Sequence, residues 1–266
     1  MDVKSLLEHL LSKERYSFSI DEANSLLGAS RESIPVLLNR YVSKGDLFCI
    51  RKGYYLIMTP RYKTFGRLPI QMFVDHMFSW LDRQYYIGLL QAASFHGSNH
   101  HALQIDQVVI CKPPMRDIKK DNYTIRFATR ATFPQPNSNI IKKSSDAGYF
   151  NVSSIALTIV DLINFQNKIG GLNRIFHTIE ELVEDLEAED LINLLSWYPD
   201  KSDIQRMGYL FEVLDVQNDL QTIMAKWRSG QKLSNILLTP GLARNTQSQS
   251  NQWYINVNNE IEIEEW

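Results

Sequence analysis

The residues most able to do recognition chemistry fall on one helical pattern. Between residues 32 and 43, Glu32, Ser33, Val36, Asn39, Arg40 and Ser43 share one side of a helical wheel, opposite Ile34, Leu37, Leu38, Tyr41 and Val42. Asn39 can bond an adenine edge bidentately, Arg40 can reach guanine or a phosphate, and Val36 can touch a thymine methyl. Ser33 and the helix start can meet a phosphate. Arg31, Lys44, Arg51 and Lys52 add cations for contacts that ignore base sequence. Arg51-Lys52-Gly53-Tyr54-Tyr55 reads as a hairpin tip with two cations, a turn glycine and two aromatic rings behind it. One of these tyrosines is expected in the core and the other near a nucleic-acid backbone, and Tyr54 is counted with the DNA-binding set. Glu32 argues mildly against this chemistry, and a small helical module with the same exposed face could instead dock a protein.

Charge favours the nucleic-acid reading. From Ser30 to Arg67 there are eight basic residues against two acidic ones, a balance of +6, within a chain whose net charge is −2. Seven acids with no Lys or Arg occupy residues 178–190, and Glu260, Glu262, Glu264 and Glu265 close the chain. A polyanion would be drawn to one end and held off the other. The acids of 178–190 are most simply a solvated face, since Ile179, Leu182, Val183 and Leu186 supply the inward stripe.

Catalytic patterns are weaker. His96, His100, His101 and Cys111 invite a zinc reading, but the paired short spacings of zinc sites are missing, so no metal is assigned. The strand pattern from Asp106 to Lys112 resembles the metal-binding hairpin of some nucleases. The acid that the acid-x-Lys pattern requires is replaced by Ile110 in Ile110-Cys111-Lys112, which leaves a metal-dependent DNA nuclease as the alternative function. No phosphate loop, nucleophile elbow or paired carboxylate motif is present, and neither catalytic residues nor a cofactor is expected.

These residues need elements to position them. Leucines at 6, 7, 10 and 11 predict a first helix over residues 3–13. Ser19 with Glu22 forms a capping-box pattern for a second helix ending near Gly28. Pro35 confines the start of the third to Ser33, or distorts an earlier start at Ser30. Strands follow over 47–51 and 54–59 across Lys52-Gly53. Helices are expected over 70–82 and 85–96, then strands over 106–112, 123–130, 140–143 and 149–152. A helix should begin at Ser153, with three or four more over 172–228 and a last strand over 253–257. The class is α+β, with an N-terminal winged helix-turn-helix (1–66), a larger mixed α/β domain with a small sheet and a helical C-terminal half (67–258), and an acidic tail (259–266).

With 44% hydrophobic and 22% charged residues over 266 positions, the chain can bury ordinary cores. It shows neither an apolar run of membrane-spanning length nor a signal-peptide pattern. Cys49 and Cys111 read as reduced structural thiols, so a cytoplasmic location is expected.

The order of motifs resembles the AbiEi-like antitoxins of type IV toxin-antitoxin systems. The resemblance runs from Lys44-Gly45-Asp46-Leu47-Phe48 and Arg51-Lys52-Gly53-Tyr54-Tyr55 through Tyr85 to Ala93, Phe95-His96-Gly97 and Gln107 to Ile110. It continues through Ile125-Arg126-Phe127, Thr158 to Leu162, Gly170-Gly171-Leu172, Arg206 to Phe211 and Trp253 to Asn258. It implies a bacterial winged-helix repressor that binds inverted repeats upstream of its own operon, and a C-terminal domain needed for antitoxic action. The toxin it implies is a nucleotidyltransferase-like enzyme, neutralised without a stable complex. The chain departs from the family at Ser153-Ser154-Ile155, where Ser-Pro-Glu is usual.

Overall fold

Local sequence sets the first three helices. Helix α1 (Val3–Leu11) starts at Asp2, whose carboxylate accepts the Ser5 amide at 2.8 Å, and it buries Leu6, Leu7 and Leu10. Strand β1 (Ser17–Ser19) leads into α2 (Ile20–Leu27). There the Ser19 hydroxyl accepts the Glu22 amide at 3.1 Å, and Gly28 ends the helix with φ at 61°. The Glu22 carboxylate itself is bonded by Arg15 at 2.9 Å. Helix α3 (Ile34–Ser43) carries Pro35 in its first turn, where a missing amide costs no helical hydrogen bond, and Ser33 is its N-cap. The Val42 and Tyr41 carbonyls accept the Gly45 and Asp46 amides, each at 2.9 Å, and turn the chain into β2 (Leu47–Arg51). Strand β3 (Tyr54–Ile57) returns across Lys52-Gly53, giving an antiparallel sheet of order β1-β3-β2. Leu6, Leu10, Phe18, Ala23, Ile34, Leu38, Leu47 and Ile57 pack together in one core beneath it.

Next come α4 (Pro60–Phe65), a single 3-10 turn (Ile70–Met72), α5 (Val74–Trp80), β4 (Tyr85–Ile87) and α6 (Leu89–Phe95). Five strands follow: β5 (Asp106–Cys111), β6 (Ile118–Lys120), β7 (Tyr123–Arg130), β8 (Ile140–Ser145) and β9 (Gly148–Ser153). The six-stranded sheet has the order β6-β7-β5-β4-β9-β8, with β5 parallel to β7 and β6 antiparallel to it. The remaining chain forms α7 (Ile155–Asn164), α8 (Gln166–Ile169), α9 (Leu172–Val183), α10 (Ala188–Trp197), α11 (Lys201–Val213) and α12 (Asn218–Ser229). It ends with a parallel pair, β10 (Ile236–Leu237) and β11 (Ile255–Asn256). This computed structural model describes residues 2–28, 32–98, 104–134 and 138–261.

The chain divides into two compact units. One gathers Met1–Tyr86, Leu103–Arg130 and Lys142–Asn151; the other gathers Ile87–Ala102, Ala131–Ile141 and Val152–Trp266. The expected division at 66/67 follows neither, because residues 103–130 fold with the N-terminal segment. Tyr123 shows why. Its ring lies 4.7 Å from that of Phe48, and its buried hydroxyl accepts the Leu68 amide at 2.5 Å.

In the second unit α7 is buried along eight of its ten residues, Thr158 and Asp161 among them. It packs against α6, α9, α10 and α11. Its first turn is capped by Ser154, and the Asp190 carboxylate accepts the Ala156 amide at 2.8 Å. The acid serving this helix start therefore comes from α10 rather than from its own first turn.

Three expectations change. The helix over 85–96 is a strand and then a helix: Tyr85, Tyr86 and Ile87 are all buried, and a fully buried strand lacks the alternation that would mark it. The helix over 70–82 is broken by the 3-10 turn. The strand over 253–257 shrinks to Ile255–Asn256, and it pairs with Ile236–Leu237, a two-residue strand for which no expectation is made.

Candidate nucleic-acid interface

Helix α3 presents the predicted face. Ile34 and Leu38 are fully buried, whereas Asn39, Arg40, Ser43 and Lys44 are exposed and Val36 is 60% exposed. Val36 stands about one helical turn from both Asn39 and Arg40 on this face. Ser33 is half-buried at the N-cap, where its hydroxyl makes no cap hydrogen bond to the helix. Lys44 extends past the helix end, its ammonium 5.7 Å from the Tyr41 ring. Arg31 lies outside the described residues.

The Lys52-Gly53 turn is held against its own unit. Gly53 adopts φ of 84°, accepts the Ile20 amide at 2.8 Å and faces Ile20 and Trp80 closely. Arg51 is half-buried with its guanidinium 6.0 Å from the Trp80 ring, and Lys52 is exposed. Tyr54 departs from its expected role. It is 2% exposed, its hydroxyl pairs with Ser17 Oγ at 2.8 Å, and its ring stacks on Trp80 at 5.0 Å. Burial drives its phenol well above the ordinary tyrosine range, with the Ser17 bond opposing. Tyr55 is also buried, so both tyrosines are core residues. Trp80, which no local pattern links to the hairpin, organises this turn.

Of the four residues that suggested a zinc site, His96 and Cys111 are described. His96 caps α6, and its Nε2 lies 2.7 Å from the Ser153 carbonyl oxygen. His100 and His101 lie outside the described residues. Cys49 and Cys111 are free and half-buried. Among the described residues, no group of three or more His, Cys, Asp and Glu side chains is placed to hold a metal ion. Asp106 is nearly buried and bonded to Arg67 at 2.6 Å. Burial pushes its carboxyl up to about 6, against the pull of Arg67. Lys112 lies just past the other end of β5. The acids of 178–190 extend from the end of α9 into the start of α10, with Ile179, Leu182, Val183 and Leu186 buried beneath them.

Residues 86–213 match the AbiEi antitoxin C-terminal domain. This part of the chain is an AbiEi-like antitoxin domain. The AbiEi domain opens in β4 and closes at the last residue of α11, so it takes in the buried helix α7 and Gly208. The three-helix module, α12 and the β10–β11 pair lie outside it. The chain is also similar in fold to the RV2827C protein from Mycobacterium tuberculosis, known from a crystal structure. The TM-score is 0.66 and the identity 14%, over 94% of this chain and 89% of that one. A comparison with curated proteins gave no match. No helix among the described residues is long and apolar enough to cross a membrane.

Proposed function

We propose that this AbiEi-like protein is the antitoxin of a type IV toxin-antitoxin pair and the repressor of its own operon. The match over 86–213 carries the antitoxin part. The operator is an inverted-repeat duplex, and residues 2–58 bind it as a winged helix-turn-helix. What supports this second part is the exposed α3 face of Val36, Asn39 and Arg40 on a buried Ile34-Leu38 stripe, with Lys44 and Lys52 exposed beyond it. The partner toxin is a nucleotidyltransferase-like enzyme neutralised without a stable complex. The chain works in the cytoplasm without a cofactor or catalysis of its own.

Fluorescence anisotropy of the full chain on the duplex upstream of its reading frame tests the repressor part. Asn39→Ala and Arg40→Ala should each lose about 1–3 kcal/mol on the operator and far less on unrelated duplex. Equal affinity for both duplexes would remove the sequence-specific reading. Co-expression with the adjacent toxin tests the other part: growth should recover, and co-purification of a stoichiometric complex would overturn the type IV assignment.

A further inference from the structure

A second basic element of the same unit lies against the three-helix module. The β6–β7 hairpin, residues 118–130, packs beside β2, and Lys120 makes the join. Its ammonium donates to the Cys49 carbonyl at 2.5 Å and stands 5.4 Å over the Phe48 ring. At the turn, Asn122 Nδ2 donates to the Gly66 carbonyl at 3.4 Å, and Tyr123 anchors the base against Phe48. The hairpin is thus fixed on both sides of its tip.

From Lys112 to Arg126 there are five basic residues against Asp117 and Asp121, a balance of +3. Asp117 already accepts the Phe127 amide at 3.0 Å. Lys112, Arg116, Lys119, Lys120 and Arg126 are exposed, and among the described residues Lys119 has no carboxylate partner. Cys49 is two residues from Arg51 on an extended strand, about 7 Å along the chain. A lysine ammonium has three donors, so Lys120 can hold Cys49 and still meet an oxyanion.

We infer that the β6–β7 hairpin is a second backbone-binding element for the duplex held by α3, with Lys119 and Lys120 neutralising one phosphate each. This rests on the DNA-binding reading above and extends the interface to residues inside the AbiEi domain. A protein partner for the hairpin is the competing occupant.

Anisotropy titrations over a salt series test it, with the full chain on its upstream duplex and on a scrambled duplex of equal length. Each phosphate contact contributes about 0.9 to the slope of log K against log salt. Between 50 and 200 mM salt the unaltered chain should therefore lose about 3.5-fold more affinity than Lys119→Ala or Lys120→Ala. The change should be the same on both duplexes, because phosphates carry no sequence. Lys119→Glu should weaken binding further, and Lys232→Ala, on the other unit, should leave the slope unchanged. If the unaltered chain binds with a steep slope that Lys119→Ala and Lys119→Glu do not alter, the hairpin is not part of the interface and the α3 reading stands. If the unaltered chain retains neither duplex at low salt, both readings fall.

Discussion

Replacing Gly208 with alanine should destabilise the chain even though it improves a helix. Gly208 is buried within α11, where alanine ordinarily gains about 1 kcal/mol over glycine. A Cβ there would stand 2.3, 2.4 and 2.5 Å from Cη2, Cζ3 and Cζ2 of Trp253. Carbon atoms settle near 3.5–4.0 Å, so the ring must retreat by more than about 1 Å. Little lets it move. Trp253 is 3% exposed, its carbonyl is bonded by Gln205, its amide donates to Asn251 Oδ1 at 3.1 Å, and Arg228 lies 5.2 Å over the ring. Overpacking of this kind costs about 1–3 kcal/mol, and three ring atoms facing one methyl favour the upper end. The expected net loss is about 1–2 kcal/mol, read from urea unfolding by far-ultraviolet circular dichroism. In a Trp253→Ala background the clash is gone, so the same substitution should become neutral or stabilising by up to about 1 kcal/mol. A Gly208→Ala chain as stable as its parent, or a loss of equal size in both backgrounds, would refute the argument that the indole excludes the methyl.

Two other outcomes follow from buried polar groups. Tyr54→Phe should cost about 1 kcal/mol by leaving Ser17 without its partner, while DNA affinity stays unchanged; weakened DNA binding at constant stability would return Tyr54 to the interface. Asp106 carries a folded-state carboxyl raised from 3.8 to about 6, so the folded chain holds its proton more tightly than the unfolded one. Its stabilising contribution is full below about pH 4 and is lost as pH rises through about 6, roughly 3 kcal/mol in all. Asp106→Asn lacks this titration, so its stability relative to the parent should rise by that order between pH 4 and pH 7. A pH-independent difference would mean that Asp106 titrates normally.

The helices of the N-terminal module were legible because each is bounded by local chemistry: Ser19 capping Glu22, Gly28 in the left-handed region, Pro35 in a first turn. Each also carries an apolar stripe at helical spacing. The exposed positions of α3 followed from the same spacing. What escaped depends on distant partners. Tyr54 looks exposed beside Lys52 until Trp80 stacks on it, and β4 looks helical until strands from residues 106 and 148 onward enclose it. Strand β6 has one apolar residue in three, so its pairing with β7 left no alternation to read. The only local sign of that hairpin was Lys120-Asp121-Asn122, with Asp121 at positive φ. The division of the chain was hidden for a related reason, since one unit is built from three separate segments.

That three-part construction sets an order of events during synthesis. The module core of Leu6, Phe18, Leu38 and Ile57 can close once residue 57 has emerged, because all its members lie upstream. Strand β2 then waits at the sheet margin, without Lys120 on Cys49 or Tyr123 on Phe48, until about 60 more residues have been made. At roughly 5–20 residues per second that is about 3–12 s. Throughout that interval a strand bearing Phe48 and Cys49 is open to another nascent chain, and a transcript ending before codon 120 would leave it so permanently.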